Sequence, residues 1–127
     1  MKQIIRTSQA PDPIGPYSQA VRYGDMLFLS GQIAIDPNSG ELVMNDITQE
    51  TEQVMENIKA VLEEAGADFS QVIKTSIFLS DMNDFPNVNA VYGRYFDSDF
   101  PARETVAVRT LPKEVNVEIS MIVGMGG

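Results

Sequence analysis

Residues 100–124 read FPARETVAVRTLPKEVNVEISMIVG. In the second half of this stretch, Val115, Val117, Ile119, Met121 and Val123 fall on one face of a strand, and Asn116, Glu118 and Ser120 fall on the other. A shorter strand at Thr105–Val108 precedes it, joined through Leu111-Pro112-Lys113-Glu114. The second face also carries Ile122, so it is neither plainly wet nor plainly core. Such a face is a candidate for burial against another subunit.

Two residues of the stretch carry chemical interest. Pro101 restricts the backbone ahead of Ala102-Arg103, and a guanidinium held in place suits the bidentate, charge-assisted capture of a small carboxylate. Arg103 also reads as a structural salt bridge to one of the 18 acidic residues. Glu118 sits midway along an apolar strand, where a carboxylate costs free energy unless it is paired or protonated. Its two readings are a water-activating group of raised pKa and a member of an ion-pair network.

Working outward, Val72–Leu79 (VIKTSIFL) is a strand rich in branched and aromatic residues. A helix follows it, with Asn83 or Asp84 as cap, Pro86 in the first turn, and an apolar stripe of Phe85, Val88, Tyr92, Tyr95 and Phe96. Asn89 lies off the centre of that stripe, at a position ordinary for a surface residue. Asp46–Ala65 is a longer helix, with Asp46 and Gln49 placed as a capping box and Gly66 past its end. Its apolar positions suit packing on a sheet, and Glu50, Glu52, Glu56, Glu63 and Glu64 read as a solvated acidic row.

Ala20–Tyr23 and Met26–Ser30 form a hairpin across Gly24-Asp25, and Leu42–Met44 is a further short edge strand. Gly31 marks either a bulge or a close approach of backbone to a ligand. Ala10–Gln19 (APDPIGPYSQ) holds three prolines and resists helix, which makes Tyr17 part of a stiff turn. The order is strands, helix, strand, helix, strands. It predicts one α+β domain with two helices on one face of a mixed sheet.

Composition narrows the chemistry further. The 127 residues suffice for one core, and no cysteine or histidine is present, which excludes thiolate nucleophiles, Ser-His-Asp triads and the usual nitrogen and sulfur zinc sites. Carboxylates, Arg, Tyr and bound water remain. A net charge of −9, with nine scattered basic residues, disfavours nucleic acid as a partner. No apolar run approaches the roughly 20 residues of a membrane span, and the N-terminus lacks an export signal, so no membrane association and a cytoplasmic location are expected.

Six segments, IGPYSQA (14–20), SGQIAID (30–36), EQVMENIKAVLEEAGA (52–67), VNAVY (88–92), FPAR (100–103) and LPKEVNVEI (111–119), together resemble the RidA (YjgF-type) family of enamine/imine deaminases. The resemblance covers nearly the whole chain in order. It implies a chorismate-mutase-like α+β fold over a single domain 1–127, and a homotrimer with a central β-barrel and sites in the clefts between subunits. Arg103 is then the carboxylate anchor, Glu118 holds the hydrolytic water, and Tyr17 walls the pocket from the neighbouring side, with Ser30, Gly31, Asn89 and the backbone at Thr105 completing it.

The reaction so implied is hydrolysis of 2-aminoacrylate, 2-aminocrotonate and their imine tautomers to 2-oxo acids and ammonia, with neither cofactor nor metal. A non-catalytic trimer binding small 2-oxo or amino acids is the alternative. Ribonuclease activity, reported for some relatives, fits the charge and the lack of imidazole poorly. The chain departs from the family pattern at Ala34, Glu104, Thr105 and Ser120. Glu104 would weaken anion capture by Arg103 unless the two side chains point to opposite faces.

Overall fold

A computed structural model describes residues 1–126. Six strands, β1 (Lys2–Ile5), β2 (Ala20–Tyr23), β3 (Met26–Gln32), β4 (Val72–Leu79), β5 (Ala102–Ala107) and β6 (Val117–Gly124), form one sheet in the order β1-β2-β3-β6-β4-β5. Neighbours run antiparallel except β4 and β5. A parallel pair needs a crossover, and α2 (Phe85–Gly93) lies within it. The long helix α1 (Ile47–Glu64) connects β3 to β4.

The alternation in β6 decides which side is core. Val117, Ile119, Met121 and Val123 are buried and join Val54, Ile58, Val61 and Leu62 of α1 and Val88 and Tyr92 of α2 in one cluster. Both helices therefore cover one face of a mixed α+β sheet, as the pattern predicts. On the other face Glu118, Ser120 and Ile122 remain half-buried, and Phe28, paired with Ile122, is 45% exposed. No helix among the described residues is long and apolar enough to cross a membrane.

Several local expectations change. Lys2–Ile5 is a strand that the sequence alone does not announce, because its residues do not alternate; pairing with β2 stabilises it. Leu42 makes only a single bridge, to Ile35, rather than part of a strand. Asp46 caps α1 by accepting the Gln49 N–H at 2.7 Å, but the Gln49 side chain accepts from Asn45 instead of closing the box. Asp84 stands at the α2 N-cap without a capping bond.

That helix also ends sooner than its apolar stripe. Tyr95 and Phe96 lie past Gly93, and both pack on Phe69 with ring centroids 5.2 and 5.4 Å away. The acidic row of α1 is broken as well, since Glu50 is fully buried rather than solvated. Its carboxylate accepts the Asn116 backbone N–H and the Asn116 Nδ2, each at 2.8 Å.

Candidate active site

Glu118 is held in a cleft of about 600 Å³ lined among others by Pro11, Tyr17, Ser30, Gly31 and Ile33. Burial pushes its carboxyl above the ordinary carboxylate value. Among the described residues it forms no ion pair to offset that. Gly31 explains how the carboxylate fits: the β3–β6 register shifts between Leu29 and Gln32, and a Cβ at Gly31 would stand 2.6 Å from Glu118 Oε2. The bulge and the close approach are thus one feature, and what approaches the Gly31 backbone is Glu118.

The proline-rich segment closes another side of this cleft. Gln19, buried, accepts the Thr7 N–H and donates to the carbonyls of Thr7, Ala10 and Pro11 at 2.9–3.3 Å. The Ser30 hydroxyl donates to Ser18 O at 2.6 Å, so it ties the segment to β3. Tyr17 is half exposed, and its hydroxyl accepts the Ile14 N–H at 3.3 Å while keeping its own proton free to donate. Gln19 is a residue that sequence reasoning passed over, although it stands inside the GPYSQA motif.

Arg103 lies elsewhere. Its Nη1 donates to Asn89 Oδ1 at 2.8 Å, and its guanidinium carbon sits 5.1 Å from the Tyr92 ring centre and 5.4 Å from that of Phe85. Tyr92 is itself fixed by its hydroxyl, which donates to the buried Thr75 at 3.0 Å. Two aromatic rings and an amide therefore aim the cation by cation–π and hydrogen-bond contacts. No carboxylate of the same chain pairs with it among the described residues. Phe100 and Pro101 wall a neighbouring cavity of about 440 Å³.

The charge of Glu104 is turned away from this anchor. Arg103 is opposite Thr75 and Glu104 opposite Ser76, so the two side chains leave β5 on different faces. Glu104 takes a hydrogen bond from the Ser76 hydroxyl and pairs with Lys74 at 3.0 Å, and these contacts hold its carboxyl below its ordinary value. Thr105 returns to the Arg103 face, and its Oγ1 is buried without a partner. Val nearly matches Thr in volume and removes that unpaired hydroxyl, so Thr105→Val is expected to stabilise the fold by about 1 kcal/mol, read from thermal unfolding.

The seven residues singled out on sequence thus sort into two groups. Tyr17, Ser30, Gly31 and Glu118 line one cleft, Asn89 and Arg103 line another, and Thr105 follows Arg103 along β5. Glu118 is paired with Phe78 and Arg103 with Thr75, three positions apart on β4 and so on opposite faces of the sheet. A single chain does not bring the guanidinium and the carboxylate together.

Residues 7–125 match the family model described as Endoribonuclease L-PSP. The chain is 54% identical over 122 residues to a RutC family protein of Pyrococcus horikoshii, covering 96% of this chain and 97% of that one. It is 50% identical to the 2-iminobutanoate/2-iminopropanoate deaminase of Dermatophagoides farinae, covering 96% and 95%. Among solved structures, the Escherichia coli protein TdcF with bound serine superposes with a TM-score of 0.93 at 40% identity, over 98% of this chain and 99% of that one. The motifs, the fold and these matches agree, and the chain belongs to the endoribonuclease L-PSP family, that of the YjgF/RidA proteins.

Proposed function

We propose that the protein is a hydrolytic deaminase of short 2-imino acids and their 2-enamine tautomers, working as a homotrimer whose sheets enclose a central barrel. The observation that carries this reading is Glu118: a half-buried carboxylate, its pKa raised by desolvation, beside Gly31 and Tyr17 and without an ion-pair partner among the described residues. A carboxylate so placed is suited to hold a water and take its proton. Arg103, aimed by Asn89, Tyr92 and Phe85, supplies the complementary anchor for a substrate carboxylate.

In this reading Arg103 of one protomer faces the Glu118 cleft of the next. The open sheet face, with Phe28, Phe78 and Ile122, provides apolar surface for that contact. Water held by Glu118 adds to C2 of the imine while Glu118 accepts its proton and passes it to the nitrogen, which gives the neutral carbinolamine. As the C2–N bond breaks, the hydroxyl proton passes by way of Glu118 to the leaving nitrogen, so that ammonia and the 2-oxo acid are released and Glu118 is again a carboxylate. An enamine first gains a proton at C3 to become the imine. Substrates of this kind already hydrolyse in water, so orientation and one positioned water are sufficient for useful acceleration.

The test is release of 2-oxobutanoate and ammonia from a threonine dehydratase reaction. The wild type is expected to accelerate release, and Arg103→Ala to abolish most of that effect, with a loss of about 10- to 100-fold in kcat/KM for removing a charge-assisted pair. No acceleration by the wild type overturns the proposal. Saturable binding of 2-oxobutanoate in a calorimeter without acceleration would establish the non-catalytic alternative instead. That alternative loses support from Glu104, which faces away from Arg103.

A further inference from the structure

Glu50 is a buried carboxylate for which the proposed chemistry has no use. It is fully buried in the first turns of α1, and no Lys or Arg pairs with it among the described residues. Leaving an ionisable group in such a place is costly unless its acceptors are filled. Both oxygens are filled by one residue. Oε2 takes the Asn116 N–H and Oε1 takes Asn116 Nδ2, each at 2.8 Å.

Asn116 is then fastened from its other side by Ser80, just past the end of β4. The Ser80 N–H donates to Asn116 O at 3.0 Å, and its hydroxyl donates to Asn116 Oδ1 at 3.2 Å. The backbone amide, backbone carbonyl and both ends of the Asn116 side chain are therefore all engaged. Asn116 immediately precedes β6 and stands two residues before Glu118. Upstream, Lys113 and Glu114 both adopt left-handed backbone at φ 55°, so the chain reaches β6 out of an irregular turn without a regular ladder to guide it.

We infer that Glu50 is a positioning residue for Glu118: through Asn116 it locks the start of β6 to α1 and to β4, and so fixes where the Glu118 carboxylate stands over Gly31. The inference rests on the deaminase reading of Glu118. Its specific content is geometric. A side chain of this length that offers two acceptors at once can hold the backbone N–H and the side-chain amide of one residue together. Leu at this position would fill the volume and offer neither acceptor. Gln keeps one acceptor for the Asn116 N–H, and the second contact survives when the Asn116 amide turns over: Asn116 Oδ1 then accepts from the Gln amide and Asn116 Nδ2 donates to the Ser80 hydroxyl, which accepts as readily as it donates.

Glu50→Leu is therefore expected to lower kcat by about 10- to 100-fold, the size of effect that a small displacement of a reacting group produces. Its KM and its affinity for 2-oxobutanoate stay close to wild type, because Arg103 lies on the opposite sheet face. Glu50→Gln is expected to keep kcat within about threefold, by the amide exchange just described. Assays run well below the unfolding transition of each variant. A folded Glu50→Leu protein with wild-type kcat overturns the inference, as does a loss confined to KM.

If Glu50→Leu does not fold, Asn116→Ala and Ser80→Ala each remove one side of the clamp and are expected to lower kcat by a smaller factor, with KM again unchanged. Wild-type kcat in both overturns the inference. If the wild type shows no deaminase activity, the failure belongs to the functional reading. The clamp is then read from hydrogen exchange at the Val117 and Glu118 amides, where protection lost in Glu50→Leu and kept in Glu50→Gln supports it. Equal protection in all three proteins overturns it.

Discussion

Glu118→Gln is expected to lower kcat by about 10²- to 10⁴-fold while leaving binding of 2-oxobutanoate nearly unchanged. Gln keeps the size of Glu and can still hold a water, but it cannot accept that water's proton. The same variant is expected to be more stable than the wild type at neutral pH. Because burial raises the Glu118 pKa above 4.5, the native state keeps this proton to higher pH than the unfolded chain does. Stability contributed by the neutral form is present below the unfolded pKa and is lost as pH rises through the native one. The difference in melting temperature between Glu118→Gln and wild type should then be small at pH 4 and grow as pH increases. Wild-type activity should follow the opposite course, falling as pH drops through the native pKa and the carboxylate becomes protonated. A variant that is slow yet no more stable at pH 7 would show that burial does not disfavour the ionised Glu118 carboxylate.

Gly31→Ala is the second change with a large expected effect. The Gly31 backbone is not in the left-handed region, so alanine is tolerated there as far as φ is concerned. The obstacle is the added methyl, 2.6 Å from Glu118 Oε2 and 2.8 Å from its Cδ. Contact at that range obliges the Glu118 side chain to rotate away, and kcat is expected to fall about 10²-fold. Overpacking at the bulge adds a stability cost of about 1–3 kcal/mol, seen as a lowered melting temperature. The Arg103 cleft is untouched, so affinity for 2-oxobutanoate should change far less than kcat. Equal losses in both would point to collapse of the sheet rather than to displacement of one carboxylate.

What could be read from the residues depended on whether local pattern and tertiary environment agreed. In β6 they agree: every second residue is buried, and the strand, its core face and the oddity of Glu118 all follow from the residue pattern. At Gly31 the pattern leaves a bulge and a close approach to a ligand both open, and it does not show that the group standing over the bulge is Glu118, because β3 and β6 are joined only by folding. Glu50 departs from its expected solvated face for a related reason. A glutamate among other glutamates on a helix follows the pattern of a wet face, and the residue that makes its burial tolerable lies 66 positions away. Phe85 and Tyr92 were legible as core, yet their further use under the Arg103 guanidinium depends on β5 packing beside α2. Even the separation of Arg103 from Glu118 follows from the register of β4 with both neighbours, which alternation within either strand alone does not determine.

Because Arg103 and Glu118 project from opposite faces of one sheet, the proposed reaction has to join them across two chains, and defects in the two are expected to be separable between chains. Arg103→Ala and Glu118→Gln proteins, each nearly inactive alone, should regain function when unfolded together and allowed to reassemble. In the proposed ring of three, an intact pairing arises wherever a chain that retains its arginine precedes one that retains its glutamate. Random mixing in equal amounts yields this at about one quarter of the junctions. Recovery near that fraction would identify the neighbour as the source of the missing half, whereas a mixture as inactive as its components would require both groups to act within one polypeptide.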